Sequence, residues 1–406
     1  MKNTFRSFEK YNYRVWALGS IISNIGTWMQ RIAQDWLVLS ELTQHSGTAV
    51  GIIMALQFGP PILLISFAGR VVDKVDHRKL LIFTQLFLAL TAFLLGILVL
   101  THSITLWEVY LFAGLVGCIS AFDSPARQIF ITELVGESNL PNALALNSIL
   151  FNSAQLTGPA IAGIFISLFG SGWVFILNGM SFIVVIVSLT LLKKNQLFKS
   201  SHVKSTEQGL VHTLSYIKQK PELMIVLVML FILGTYGLNF PVYISTMTIN
   251  VFHGNAHLFG ILSSTMAIGS ILGGIFVANK KYPNLQLLIL SSLLFFIVGS
   301  VAAWIPSEIW FGIMLASLGA LTQVFTTTTN SFVQLTTAPE MRGRVMAVYM
   351  GIFLGCTPLG APFAGWIADI LSPRWSLFFA ALSGGLAALV GYVFKKRVHK
   401  FKTHTI

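Results

Sequence analysis

Five side chains, Ser20, Asn24, Thr27, Arg31 and Asp35, follow one another at steps of three and four inside an otherwise apolar run. At that spacing they share one helical face, with Gln30 and Gln34 beside it, and a polar face of that length is expected to line a cavity. Arg31 and Asp35 stand one turn apart, so they can pair and offset part of the several-kcal/mol cost of a charge within a membrane. A proton taken up by Asp35 would release Arg31 to engage a solute or another helix, which makes the pair a candidate coupling site. Depth leaves a second reading open. At a rise of 1.5 Å per residue, Asp35 lies about 12 Å past the middle of its run, where a fixed salt bridge or a gate would be written with the same residues.

A second cluster is the charged stretch GRVVDKVDHRK from Gly69 to Lys79, set between two long apolar runs. Four of its six charges are basic (Arg70, Lys74, Arg78 and Lys79), and short loops rich in Lys and Arg stay on the cytoplasmic side of a bilayer. Gly69 would let another backbone approach closely, and Asp73 is placed to meet the N-terminus of a neighbouring helix, where the macrodipole favours a carboxylate. Asp123 and Arg127 repeat the one-turn spacing in a later run and, with Arg78, form a candidate cytoplasmic gate. Glu340, Arg342 and Arg344 are their counterpart in the second half, next to a run whose N-terminus is the candidate partner of Asp73.

The elements that must carry these residues follow from composition. The chain has 406 residues, 55% of them hydrophobic and 10% charged; soluble domains carry roughly a quarter charged residues. It reads as an all-α integral membrane protein. Apolar runs of about 20 residues fall at 14–39, 48–69, 80–101, 106–127, 142–168, 172–192, 223–249, 257–279, 285–305, 309–335, 344–370 and 375–394. Twelve transmembrane helices with both termini cytoplasmic place all but two of the 26 Lys and Arg on the cytoplasmic side, the exceptions being Arg31 and Arg374. The formal charge of +12 is thereby explained by topology, without nucleic acid as a partner.

Residues 193–222 form the longest polar stretch and divide an N-terminal six-helix bundle, 1–192, from a C-terminal one, 223–406. Within it Leu210, Val211, Leu214 and Ile217 share a helical face, which predicts an amphipathic helix on the lipid surface. A shift of 202 positions superposes Gly158, Gly163, Trp173 and Ser181 on Gly360, Gly365, Trp375 and Ser383, so the halves read as pseudo-symmetric repeats with a cavity at their interface. Runs 3, 9 and 12 are almost uniformly apolar and run 6 adds only Asn178 and scattered hydroxyls, which predicts lipid-facing helices; runs 1, 4, 5, 7 and 10 carry amides, hydroxyls or charges suited to a cavity.

Together with the charged loop, GTWMQRIAQDWLVLSELT, DSPARQIFITELVGESNLPNALALNS and PEMRGRVMAVYMGIFLGCTPLGAPFAG resemble the major facilitator superfamily, in the branch that includes the enterobactin exporter and macrolide efflux proteins. The resemblance implies that the Gly69–Lys79 loop and the Asp123 region hold the cytoplasmic side closed. Gly158, Pro159 and Gly163 are similar to the span 5 motif of drug and proton antiporters, and tight helix packing accounts for them equally; Gly269 and Gly273 offer a matching close-contact face in span 8.

The further substrate-cavity candidates are Gln57, Asn147, Asn152, Gln155, Thr235, Tyr236, Asn239, Gln323, Thr327 and Asn330, beside Asn24, Thr27 and Gln34. Few fixed charges and many Phe and Met suit a small amphiphilic substrate. No phosphate-binding glycine loop, metal-ligand spacing or catalytic constellation is present, so neither cofactor, metal nor enzyme activity is expected. The expected function is a secondary exporter of drugs or siderophores and metallophores by proton antiport, monomeric in the cell membrane. Uptake by the same fold, or lipid flipping, is the alternative.

Overall fold

The computed structural model describes residues 6–198, 210–278, 280 and 284–403, and every long element among them is a helix. Two compact units result. Unit 1 comprises Met1–Gln44, Leu56–Lys204 and Gly254–Ser264; unit 2 comprises His45–Ala55, Ser205–His253 and Thr265–Ile406.

Unit 1 is built from α1 (Tyr11–Leu37), the end of α2 (Gly47–Leu63), α3 (Ile65–Val72), α4 (His77–Leu100), α5 (Leu106–Val135), α6 (Leu140–Phe169), α7 (Ser171–Thr190) and the start of α11 (Ala256–Ala278). Unit 2 holds the start of α2, then α8 (Leu210–Gln219), α9 (Pro221–Gly237), α10 (Phe240–Asn250), the rest of α11, α12 (Leu285–Trp304), α13 (Glu308–Thr336), α14 (Pro339–Ile370) and α15 (Pro373–Thr403). Helices α2 and α11 therefore each run from one unit into the other.

Local chemistry sets the boundaries. Asp76 caps α4 by accepting the Lys79 N–H at 2.9 Å, and Thr105 and Glu108 form a capping box at the start of α5. In unit 1 the apolar faces of α1, α4, α5, α6 and α7 close over Tyr13, Trp16, Leu81, Phe130, Leu134 and Leu189, with the Trp16 and Phe130 rings edge to face at 5.5 Å.

Among the described residues, ten helices are long and apolar enough to cross a membrane, with α9 and α10 taken together. Helix α1 falls outside that set although it has 27 residues, because its polar face lowers its hydropathy; α2 is apolar but has only 17. Two expected runs are broken. The 48–69 run is α2 and α3, separated at Leu64 (φ −92°, ψ 0°) after Pro60 and Pro61, which remove two backbone donors. The 223–249 run stops at Leu238 and Asn239, since Pro241 cannot donate to the preceding turn.

Helix α8 forms over part of the expected amphipathic stretch, but its C-terminal part docks on protein. Ile217 is buried, Tyr216 Oη accepts the Ala338 N–H at 3.0 Å, and Lys220 Nζ donates to the Thr336 carbonyl at 2.9 Å. The side chains of Leu210 and Val211 lie outside the described residues. Helix α7 is also less lipid-facing than its sequence suggests: Asn178, Ser181 and Ser188 are buried against Gly19 and Gly26 of α1.

Candidate functional site

The α1 face is formed as expected, but its central pair is arranged differently. The Arg31 guanidinium lies 4.7 Å from the Trp28 ring centroid and 5.4 Å from that of Phe58, held by cation–π contact from its own helix and from α2. Asp35 is buried, yet Arg31 does not reach it: no ion pair within 4.0 Å joins the two, as one does for Arg127 and Asp123. The rings compete for the guanidinium because its planar face stacks on them without the geometric demand of a carboxylate fork. Around this pair Gln57 Nε2 donates to Gln34 Oε1 at 3.2 Å, and Asn178 Nδ2 donates to Gln30 Oε1 at 2.6 Å. Gln34 Nε2 and Ser20 Oγ are buried without partners, while Asn24 and Thr27 are half-buried.

At the other end of unit 1, Asp123 gathers three donors. Thr84 Oγ1 and Gln85 Nε2 of α4 donate to Oδ1 at 2.7 and 2.8 Å, and Arg127 Nε donates to Oδ2 at 2.5 Å while its guanidinium lies over Trp16. Arg78 is not part of this network. It donates instead to the Leu189 and Thr190 carbonyls at 2.7 and 3.0 Å, at the C-terminal end of α7, where the macrodipole favours a cation. His77 makes the connection to α5, with Nδ1 2.6 Å from Glu133 Oε1. Gly69 lies inside α3, and a Cβ there would meet nothing within 4 Å, so the expected close approach is absent in this conformation. Asp73 ends α3, its N–H donating to the Gly69 carbonyl at 3.0 Å, and Lys74 is exposed beyond it.

The small-residue motif of α6 does create close crossings. A Cβ on Gly158 would stand 2.5 Å from Trp28 Cβ, and one on Gly163 would stand 2.8 Å from the Ala256 carbonyl of α11. The facing residue in α11 is Gly260, 2.5 Å from the Pro159 carbonyl on the same test. Gly269 and Gly273 do not serve α6; they pack on Ala316 and Ala320 of α13, because α11 has turned its other face by then. Asn152 is exposed and Gln155 half-buried on α6. In the same unit, Pro60 and Pro61 leave the Leu56 and Gln57 carbonyls without their usual donors, and Gly117 of α5 closes on them, 2.5 and 2.9 Å from where its Cβ would be.

In unit 2 the break between α9 and α10 collects polar atoms. Asn239 Nδ2 donates to the Thr235 carbonyl at 2.7 Å, its Oδ1 is buried without a partner, and Tyr243 donates to the Tyr236 carbonyl. Gly360 of α14 sits directly on this turn, where a Cβ would clash with the Thr235 carbonyl. Gln323 donates to Thr327 at 3.0 Å, and Asn330 accepts from Gln334 at 2.5 Å, all along α13. Broken helices of this kind leave backbone and amide groups available at depth.

Sequence reasoning passed over Phe58, Glu133, Thr84, Gln85 and Asp369. Phe58 carries no signal of its own in an apolar run. Glu133, in contrast, is an isolated charge near the end of a span, which is the signal that would have found it.

Several membrane-crossing helices with buried polar and charged groups on and beside helix breaks are the build of a multi-pass membrane protein. The family described as transmembrane secretion effector matches residues 2–405. The staphyloferrin A transporter of Staphylococcus aureus is 26% identical over 93% of this chain and 95% of its own. Macrolide efflux protein A of Streptococcus pyogenes is 22% identical over 95% of this chain and 96% of its own. In fold, a bacterial homologue of the human lysosomal transporter Spinster, solved inward-facing and unoccupied, superposes with a TM-score of 0.75, at 14% identity over 95% of this chain and 96% of that one. The chain belongs to the transmembrane secretion effector family of the major facilitator superfamily. It is a transporter and not an enzyme.

Proposed function

We propose that the chain is a secondary exporter of small amphiphilic organic molecules, of drug or siderophore type, driven by inward proton flow through alternating access. The observation that carries this reading is the state of the α1 pair: Asp35 is buried at membrane depth with Arg31 drawn away onto Trp28 and Phe58, which leaves the carboxylate able to take and lose a proton. Each proton entering supplies about 2.3 kcal/mol per 100 mV of membrane potential. Relatives named for a siderophore and for macrolide efflux support the substrate class.

In this reading α1 and α2 complete twelve crossings, the termini are cytoplasmic in the cell membrane, and two six-helix bundles, 1–192 and 223–406, act as one monomer. Asn24, Thr27, Gln34, Gln57, Asn152, Gln155, Tyr236, Asn239, Gln323 and Asn330 supply polar contacts to the substrate. Gly69, Asp73, Lys74, Arg78, Asp123 and Arg127 form the cytoplasmic gate, and Gly158, Pro159 and Gly163 set the packing of α6. The test is efflux of dyes, drugs and siderophores from loaded cells lacking their own pumps. A protonophore is expected to abolish efflux by the native chain, and Asp35→Asn is expected to lower it at least about tenfold; proton-driven efflux unchanged in Asp35→Asn would remove Asp35 as the proton site.

A further inference from the structure

The last turn of α14 carries a carboxylate, Asp369, at the end of a helix where the macrodipole disfavours negative charge. Its surroundings account for it. Asp369 Oδ1 accepts the Gly47 N–H at 2.6 Å, and Oδ2 accepts the Thr48 N–H at 2.9 Å, the Thr48 hydroxyl at 2.6 Å and the Ser46 hydroxyl at 2.8 Å. Ser46 Oγ in turn takes the Ala49 N–H at 3.3 Å. The opening N–H groups of α2 are thus satisfied by one side chain from a helix more than 300 residues away, aided by one serine. Charge-assisted bonds of this kind are roughly twice as strong as neutral ones, and the positive end of α2 adds to them.

Packing continues the contact down the helix. A Cβ on Gly51 would stand 2.3 Å from the Ala361 carbonyl, and one on Gly365 would stand 2.1 Å from the Gly47 carbonyl, so the two backbones touch. Helix α2 begins in unit 2 and joins unit 1 from Leu56 onward. Any movement of one unit against the other must bend α2 or part its first turns from α14.

We propose that Asp369 is a latch: it holds the first turns of α2 on α14 and is released once in each transport cycle. The proposal rests on alternating access and on the topology that places this end outside. Spin labels on Ser103→Cys and Glu308→Cys, both on the outer side in that topology, report opening there by pulsed electron–electron distance measurement. The full chain is used in lipid nanodiscs, with Cys118 and Cys356 replaced.

The native protein is expected to show a short and a long distance population whose ratio responds to substrate and pH. Asp369→Ala is expected to move that ratio toward the long distance by about tenfold, and Ser46→Ala with Thr48→Val to move it the same way. Restoring a carboxylate as Asp369→Glu is expected to recover part of the shift. If either variant set lowers thermal stability but leaves the distances unchanged, Asp369 is only a helix cap and the latch is overturned. Should Asp369→Ala not fold, the Ser46 and Thr48 variants decide by the same criterion. A native protein with one population under every condition would overturn alternating access, and the latch with it.

Discussion

Two crossings use the same packing device and finish it differently. In unit 2, α2 lies on α14 through Gly47, Gly51 and Gly365; in unit 1, α11 lies on α6 through Gly163 and Gly260. Each entering helix follows a histidine held in the left-handed region, His45 at φ 60° and His253 at φ 50°. The difference is the cap. Both helices have a local cap, Asn255 accepting the Leu258 N–H at 3.1 Å in α11 and Ser46 the Ala49 N–H at 3.3 Å in α2, but α2 is also capped by Asp369 from the opposite helix. In the 202-residue repeat the position of Asp369 corresponds to Ser167, whose hydroxyl turns back onto the Gly163 carbonyl at 2.7 Å. One crossing is held by shape and a neutral hydrogen bond, from Ser264 Oγ to the Leu156 carbonyl at 3.0 Å, and the other by shape together with a charge.

The comparison can be broken or sharpened in descending order of effect. Gly365→Ala is expected to destabilise more than Gly163→Ala, because its methyl meets a carbonyl at 2.1 Å where the other meets one at 2.8 Å. Overpacking against backbone costs about 1–3 kcal/mol, and thermal unfolding of the purified chains would give the order; a larger loss for Gly163→Ala would reverse it. Asn255→Ala is expected to cost about 1 kcal/mol as a lost cap while leaving the label distances between positions 103 and 308 unchanged, in contrast with Asp369→Ala. Ser167→Asp would offer α11 the carboxylate that α2 already has. It is expected to raise stability by about 0.3–1 kcal/mol and to slow efflux, and faster efflux would show that the asymmetry has no kinetic role.

Much of unit 1 was legible because its signals are local. The α1 polar face and the Asp123–Arg127 pair follow from helical spacing, and both are formed. What could not be read was which distant group wins a side chain. Arg31 has a carboxylate one turn away, but Phe58 reaches it from α2 and the rings take it. Arg78 is expected to meet the Asp123 region across the bundle, yet the α7 carbonyls claim it. Asp369 is a single acid at the end of an apolar run, and its meaning lies in Gly47 and Thr48. The helix breaks were hidden for another reason: hydropathy counts Pro60, Pro61 and Pro241 as ordinary members of an apolar run, while their effect is on backbone donors.

The proline pair in α2 has a mechanical consequence. The boundary where the helix passes from unit 2 to unit 1 lies between Ala55 and Leu56, and the two carbonyls freed by Pro60 and Pro61 are those of Leu56 and Gln57. A helix normally resists torsion because each turn is bolted to the next by hydrogen bonds. At this step two bolts are missing, and Gly117 supplies only weak C–H contacts in their place. The rod is therefore compliant at its joint and stiff on either side, so small twists of its lower part are absorbed within one turn and only a larger movement reaches the Asp369 end.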